Sequence, residues 1–188
     1  MVIIVLIKNI LLFYGGSLMK RYTLFIVAFV AAFSLIAGPA FSAAYVTPKI
    51  DLGFGISEFH TDGDVNPGIG GGLILGFNVA GSISLEGQAA FQYWFFDVED
   101  AAFYFVPFTV GLRFGLGESF GLIGGLGGCW RQLDTDVGSA DDTDFTFYLG
   151  AEILFSQLSL RIKYVYISED FWNDSSSIQA SIGYRISM

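Results

Sequence analysis

Ser57, His60 and Asp62 stand close together and are the residue types that build a nucleophile, its base and the group orienting that base. Period-two alternation puts Ser57 and His60 on opposite faces of an extended segment with Gly63 just behind, so His60 reads as a solvated loop residue. Asp62-Gly63-Asp64-Val65-Asn66 has the one-three-five oxygen spacing of a calcium loop. It carries Pro67 where the sharp-turn glycine belongs and Leu73 where the bidentate glutamate belongs. Asp134, Asp136, Asp141, Asp142 and Asp144 form a second acidic cluster that meets Phe145 at its twelfth position, so both segments read as solubilising acidic stretches. The glycine runs at 68–72 and 121–128 lack the Gly-Lys-Ser/Thr ending of a phosphate loop. Cys129 is the only cysteine, which excludes an internal disulfide and a multi-cysteine zinc site, and it reads as a small core filler. No catalytic residue, cofactor or metal site is assigned from these motifs.

What must position these residues follows from composition. Of 188 residues, 53% are hydrophobic, 14% are charged and 24 are glycine, a mixture foreign to an ordinary soluble globule. A net charge of −9 lacks the basic footprint that phosphate binding requires, so nucleic acid is excluded as a partner. Lys20-Arg21, the apolar run 22–37, Gly38-Pro39 and the small residues up to Ala44 have the layout of a secretory signal peptide. Residues 1–44 are therefore read as a leader with cleavage after Ala44, residues 19–44 being the signal peptide proper and 1–18 a start-site artefact. The mature domain is expected at 45–188.

Beyond residue 45 no clean apolar helix of about 20 residues occurs, and the dominant period is two. Ile50, Leu52, Phe54 and Ile56 share one face of the first segment. Seven more alternating segments follow, including Leu73–Val79, Ile83–Phe95, Val106–Phe114 and Leu158–Tyr166, which makes eight strands. Acidic connections near 58–67, 97–101, 133–144 and 168–176 alternate with tight turns near Gly81, Gly117 and Ser156-Gln157. All six basic residues after the leader fall on the face opposite the apolar one, as do Asp51, Glu86 and Glu152, while 14 of the 18 acids lie in or beside the long connections. An Arg or Lys facing lipid at the midplane would cost about 2–4 kcal/mol, so the charged face points inward.

Hairpin arithmetic then brings inner charges together. Pairing Asp97 with Ala102 sets Glu86 opposite Arg113, and pairing Phe155 with Leu158 sets Glu152 opposite Arg161. With Lys163 and Arg185 on the same inner parity, these residues are expected to form a lumenal charge network filling a narrow interior. Tyr93, Phe95, Trp130, Phe145, Tyr166 and Trp172 toward one end, and Tyr45, Phe77, Phe114, Phe120 and Tyr184 toward the other, read as two interfacial girdles.

Eight amphipathic strands, inner Glu–Arg pairs and short turns opposite longer loops resemble the small outer-membrane barrels of the OmpA and OmpX type. Pro107-Phe108-Thr109-Val110-Gly111-Leu112-Arg113-Phe114 is similar to the corresponding family strand, and Ile182-Gly183-Tyr184-Arg185-Ile186-Ser187-Met188 to its insertion signal, although Met188 stands where the family has an aromatic. The resemblance implies an all-β, eight-stranded antiparallel transmembrane up-and-down barrel, exported to a Gram-negative outer membrane and delivered by the barrel insertion machinery. It implies a non-enzymatic structural or surface-interaction role with a filled polar lumen, in contact with outer-membrane lipids and lipopolysaccharide, with divalent cations bridging. A narrow or gated pore is the alternative. A lipid A-modifying enzyme using His60 is the second alternative.

Overall fold

The computed structural model describes residues 43–56, 65–96, 102–135, 138–168 and 175–188. Eight long strands follow one another: β1 (Ala44–Gly55), β2 (Val65–Ala80), β3 (Ile83–Phe96), β4 (Ala102–Leu116), β5 (Phe120–Thr135), β6 (Gly138–Phe155), β7 (Leu158–Ile167) and β8 (Ser175–Tyr184), with a two-residue extension, β9 (Ile186–Ser187). Each pairs antiparallel with the next, and β1 pairs with both β2 and β8, so the sheet closes on itself and leaves no free edge around its girth. The strands run from 10 to 18 residues, against about 9–11 needed to cross a bilayer at a tilt.

Alternation decides what each face meets. In β1, Tyr45, Thr47, Lys49, Asp51 and Gly53 are buried while Pro48, Ile50, Leu52 and Phe54 are exposed. In β7, Ser159, Arg161, Lys163 and Val165 are buried between exposed Leu160, Ile162 and Tyr164. Apolar side chains such as Leu149 and Ile162, 62% and 64% exposed, cover the outside. That inversion is stable only where hydrocarbon replaces water, since burying ionised groups inside and exposing apolar ones outside would be doubly unfavourable in water.

The three short turns need positive φ at one residue. Gly81 and Gly117 adopt it at 49° and 83°, but Ser156 carries it at 58° with a side chain. An L residue there crowds its own Cβ against the following carbonyl, at a cost of about 1–2 kcal/mol, part of which glycine's larger unfolded-state entropy offsets. Ser156→Gly is therefore expected to stabilise the barrel by about 0.5–1 kcal/mol, read as a higher urea midpoint for unfolding in detergent micelles.

Two strand prolines leave gaps in the ladders. Between β1 and the β8–β9 strand, pairing holds at Tyr45–Ser187, Val46–Ile186 and Lys49–Gly183, and lapses opposite Pro48. Between β3 and β4 it holds at Ala89–Phe108 and Gln92–Phe105, and lapses opposite Pro107. Proline has no N–H to give, and a closed barrel offers no edge on which to hide that defect.

Three sequence expectations are corrected. The β3–β4 register pairs Ile83 with Phe114, so Glu86 faces Gly111 and Arg113 faces Ser84, not each other. The difference is a shift of two residues along β4, which keeps every side chain on its face and so leaves no trace in the alternation. The stretch 133–144 is mostly strand: β5 and β6 stay in register out to Thr135–Gly138. Tyr45 belongs to the interior, buried at 5% exposure beside Glu86, rather than to an outer girdle. Ser57, His60, Asp62, Asp64 and Trp172 lie outside the described residues, as does the leader up to residue 42.

Candidate functional site

The lumen is built in layers, each contributed by residues two apart on neighbouring strands. Nearest the short turns, Glu86 on β3 and Glu152 on β6 are both 0% exposed and share the guanidinium of Arg161 on β7. Arg161 donates two parallel bonds to Glu86, at 2.8 and 2.7 Å, and its Nε donates to Glu152 at 2.9 Å. Arg113 Nε also donates to Glu152, as do Ser159 Oγ at 2.7 Å and Arg185 at 3.0 and 3.1 Å, while the Tyr45 hydroxyl donates to Glu86. The Arg185 guanidinium in turn lies 4.1 Å over the Tyr45 ring. Glu152 sits opposite Arg161 in the β6–β7 ladder, whereas Arg113 on β4 reaches Glu152 over Gly121 of the intervening β5. Charge-assisted, partly bidentate bonds of this kind are the strong ones, and they satisfy groups that would otherwise be costly to bury.

The next layer is polar with fewer charges. Lys49 and Asp51, two apart on β1, form an ion pair; Gln88 donates to the Tyr148 hydroxyl at 2.6 Å; and Gln92 donates to Gln179 at 3.0 Å. The Lys163 ammonium lies 5.5 Å from the centre of the Tyr148 ring.

Above this the interior turns apolar. Trp94, Phe103, Phe105, Cys129, Val165 and Ile167 pack into one cluster, with Trp94 edge-on to Phe105 at 5.6 Å and Phe103 edge-on to Phe105 at 4.5 Å. Trp94 fits because Gly53 and Gly68 flank it: a Cβ at either would stand 2.7 or 2.6 Å from its ring. The lumen is thus polar toward the short turns and plugged by aromatics toward the long loops, which corrects the expectation of a polar filling throughout. Continuing the inner parity past Gln92 to Trp94, and from Thr109 back to Phe105 and Phe103, is the sequence signal that marks the plug. Between the polar and apolar layers lies a cavity of about 20 Å³, room for a single water.

On the loop side, β5 and β6 outrun their neighbours. The last rung toward β7 is the Ser168 N–H to the Phe145 carbonyl at 2.9 Å. Residues 138–145 of β6 continue past Ile167, roughly 25 Å along the strand at about 3.3 Å per residue. β5 and β4 accompany them as far as the Asp134–Ala102 pair, and among the described residues no strand lines the other side of 138–144. On this projecting sheet Arg131 is paired with Asp144, Nε donating at 2.7 Å, and Trp130 Nε1 donates to Asp141 at 3.3 Å. Asp141 and Asp142 are exposed. Among the described residues no three metal-ligating side chains converge on one point.

The comparisons agree with this architecture. No curated protein sequence matches the chain. Ail, the attachment invasion locus protein of Yersinia pestis, is 16% identical with a TM-score of 0.55, the match covering 77% of this chain and 98% of that one. Ail is also known in complex with the heparin analogue sucrose octasulfate. The N-terminal barrel domain of Pseudomonas aeruginosa OprF is 11% identical with a TM-score of 0.56, covering 76% and 97%. Neisserial surface protein A is 13% identical with a TM-score of 0.50, covering 76% and 96%. At such identities these structures speak to the fold alone. The family described as outer membrane protein beta-barrel domain matches residues 27–185. The chain accordingly belongs to that family, and its place is the outer membrane of a Gram-negative cell.

Proposed function

We propose that this barrel is a closed, non-catalytic membrane anchor whose working surface is the acidic β4–β5–β6 sheet projecting on the loop side. The observation that carries the reading is the contrast between its two ends of chemistry. The interior is filled by the Glu86–Arg161–Glu152 network and the Trp94 plug, while β6 over 140–144 is paired with β5 on one side, has no described strand on the other, and holds exposed Asp141 and Asp142. The outward N–H and C=O groups of a sheet edge accept an added strand, and the carboxylates select its charge. The partner class is therefore cationic: basic extended segments, or divalent cations shared with the anionic headgroups of lipopolysaccharide. Ail took a polyanion in its reported complex; the acidic rim here favours the opposite sign.

The lumenal residues Glu86, Arg113, Glu152, Arg161, Lys163 and Arg185 serve, in this reading, to hold the anchor rigid. Maturation by cleavage after Ala44 belongs to the same proposal, although it would free the Met188 N–H, which donates to the Ala44 carbonyl at 2.8 Å. The pore reading meets a cavity of about 20 Å³, and the lipid A-modifying reading rests on residues outside those described.

Proteoliposomes carrying the barrel test the proposal. They are expected to adhere to poly-lysine-coated surfaces, to ignore heparin-coated ones, and to lose most of the adhesion in the Asp141→Asn/Asp142→Asn double variant. Steady ion conductance in planar bilayers, or adhesion to heparin undiminished in that variant, would replace it with the pore or with a polyanion receptor.

A further inference from the structure

Charge does not balance inside the barrel. Below the aromatic plug, among the described residues, stand five cationic side chains, Lys49, Arg113, Arg161, Lys163 and Arg185, against three carboxylates, Asp51, Glu86 and Glu152. Glu86 and Glu152 are taken by the three arginines and one oxygen of Asp51 by Lys49, while Asp51 also lies within electrostatic range of Lys163, so the layer keeps one cation in excess. Lys163, at 7% exposure, makes no ion pair among the described residues. Leaving an ammonium buried without a counter-charge costs several kcal/mol.

The geometry supplies a place for one. The cavity of about 20 Å³ beside Lys163 is walled by both lysines, by Gln88 and Thr109, and by Ser175, whose buried Oγ has no hydrogen-bond partner; no carboxylate lines it. Trp94, Phe105 and Val165 wall its other side, while the two ammonium groups with the amide and hydroxyl donors, in the absence of acids, give it one face that suits an anion. The volume is on the scale of one small sphere, for which a water sets a lower bound of roughly 10–15 Å³, so it suits a monatomic anion better than a polyatomic one such as phosphate. We propose that this cavity is a halide site, in which a chloride enclosed during folding serves as the counter-ion of Lys163. The anion neutralises the mid-lumen between the arginine network and the aromatic plug, so that the barrel encloses a small ion rather than conducting one.

The test is refolding of the barrel from urea into detergent in sodium bromide or in sodium gluconate, whose anion is too large to enter. Crystals grown from the bromide preparation should show one anomalous peak within hydrogen-bond range of Lys163 Nζ. The bromide-refolded barrel should unfold about tenfold more slowly than the gluconate one, the stabilisation expected of a ligand present at about ten times its dissociation constant. In Lys163→Met the two preparations should unfold at one rate; Lys163→Gln serves should the methionine variant fail to fold. A cavity holding only water, a bromide confined to the outer surface, or a halide effect undiminished in both variants would overturn the proposal, the first by showing Lys163 to be neutral.

Discussion

Arg161→Met is expected to destabilise the barrel by about 3–5 kcal/mol, the loss that follows when one partner of a buried ion pair is removed and the other is left behind. Here it leaves two. Among the described residues Arg161 is the only arginine bonded to Glu86, whose other side-chain partner is Tyr45, and it also holds Glu152 through Nε. Glu152 keeps Arg113, Arg185 and Ser159 after the change, so most of the penalty falls on Glu86. The added substitution Glu86→Gln should therefore recover a large part of the loss, whereas Glu152→Gln should recover little, because it leaves Arg113 and Arg185 short of an acceptor. Urea titration of refolding in detergent measures all four forms. A loss below 1 kcal/mol, or equal recovery by the two glutamines, would show that the three side chains do not act as a unit.

Trp94→Ala should cost a similar amount, about 3–5 kcal/mol, for a different reason. The indole is 1% exposed, packs edge-on against Phe105 and occupies the room left by Gly53 and Gly68. Its removal opens a void that rigid strands cannot collapse into. Gly68→Leu alone should also destabilise, by about 1–3 kcal/mol, since its Cβ would stand 2.6 Å from the ring. Placed together, the two changes should cost less than Trp94→Ala alone, the leucine filling the vacated volume. Additive losses in unfolding midpoint would mean that Gly68 does not make room for Trp94.

Much of the architecture was legible because a barrel in lipid writes one rule along the whole chain. Lys49 and Asp51 between Pro48, Ile50 and Leu52, or Arg161 and Lys163 between Leu160, Ile162 and Tyr164, carry the inside and outside in their spacing. What that rule cannot carry is stagger. A slide of two residues along β4 moves no side chain to the other face, so spacing alone pairs Glu86 with Arg113, whereas Glu86 meets Arg161 across the lumen and Arg113 meets Glu152 over Gly121. Contacts across the interior are likewise silent in sequence: nothing in the spacing of Arg161 and Glu86 announces a bidentate pair. The plug was hidden for a third reason, because aromatics near strand ends suit an interfacial girdle as well as a core, and only strict parity separates Trp94 from Tyr93 and Phe95.

The rung missing opposite Pro48 falls on the joint where the first and last strands meet, the only joint not built by a hairpin. Closing it joins residues more than 120 positions apart in the chain, the longest sequence separation of any joint. It is also where the fastening has the fewest teeth at the short-turn end, with β9 contributing two residues past the lapse. Among the described residues this line crosses the fewest paired positions of any joint, so parting the wall sideways is expected to cost least there.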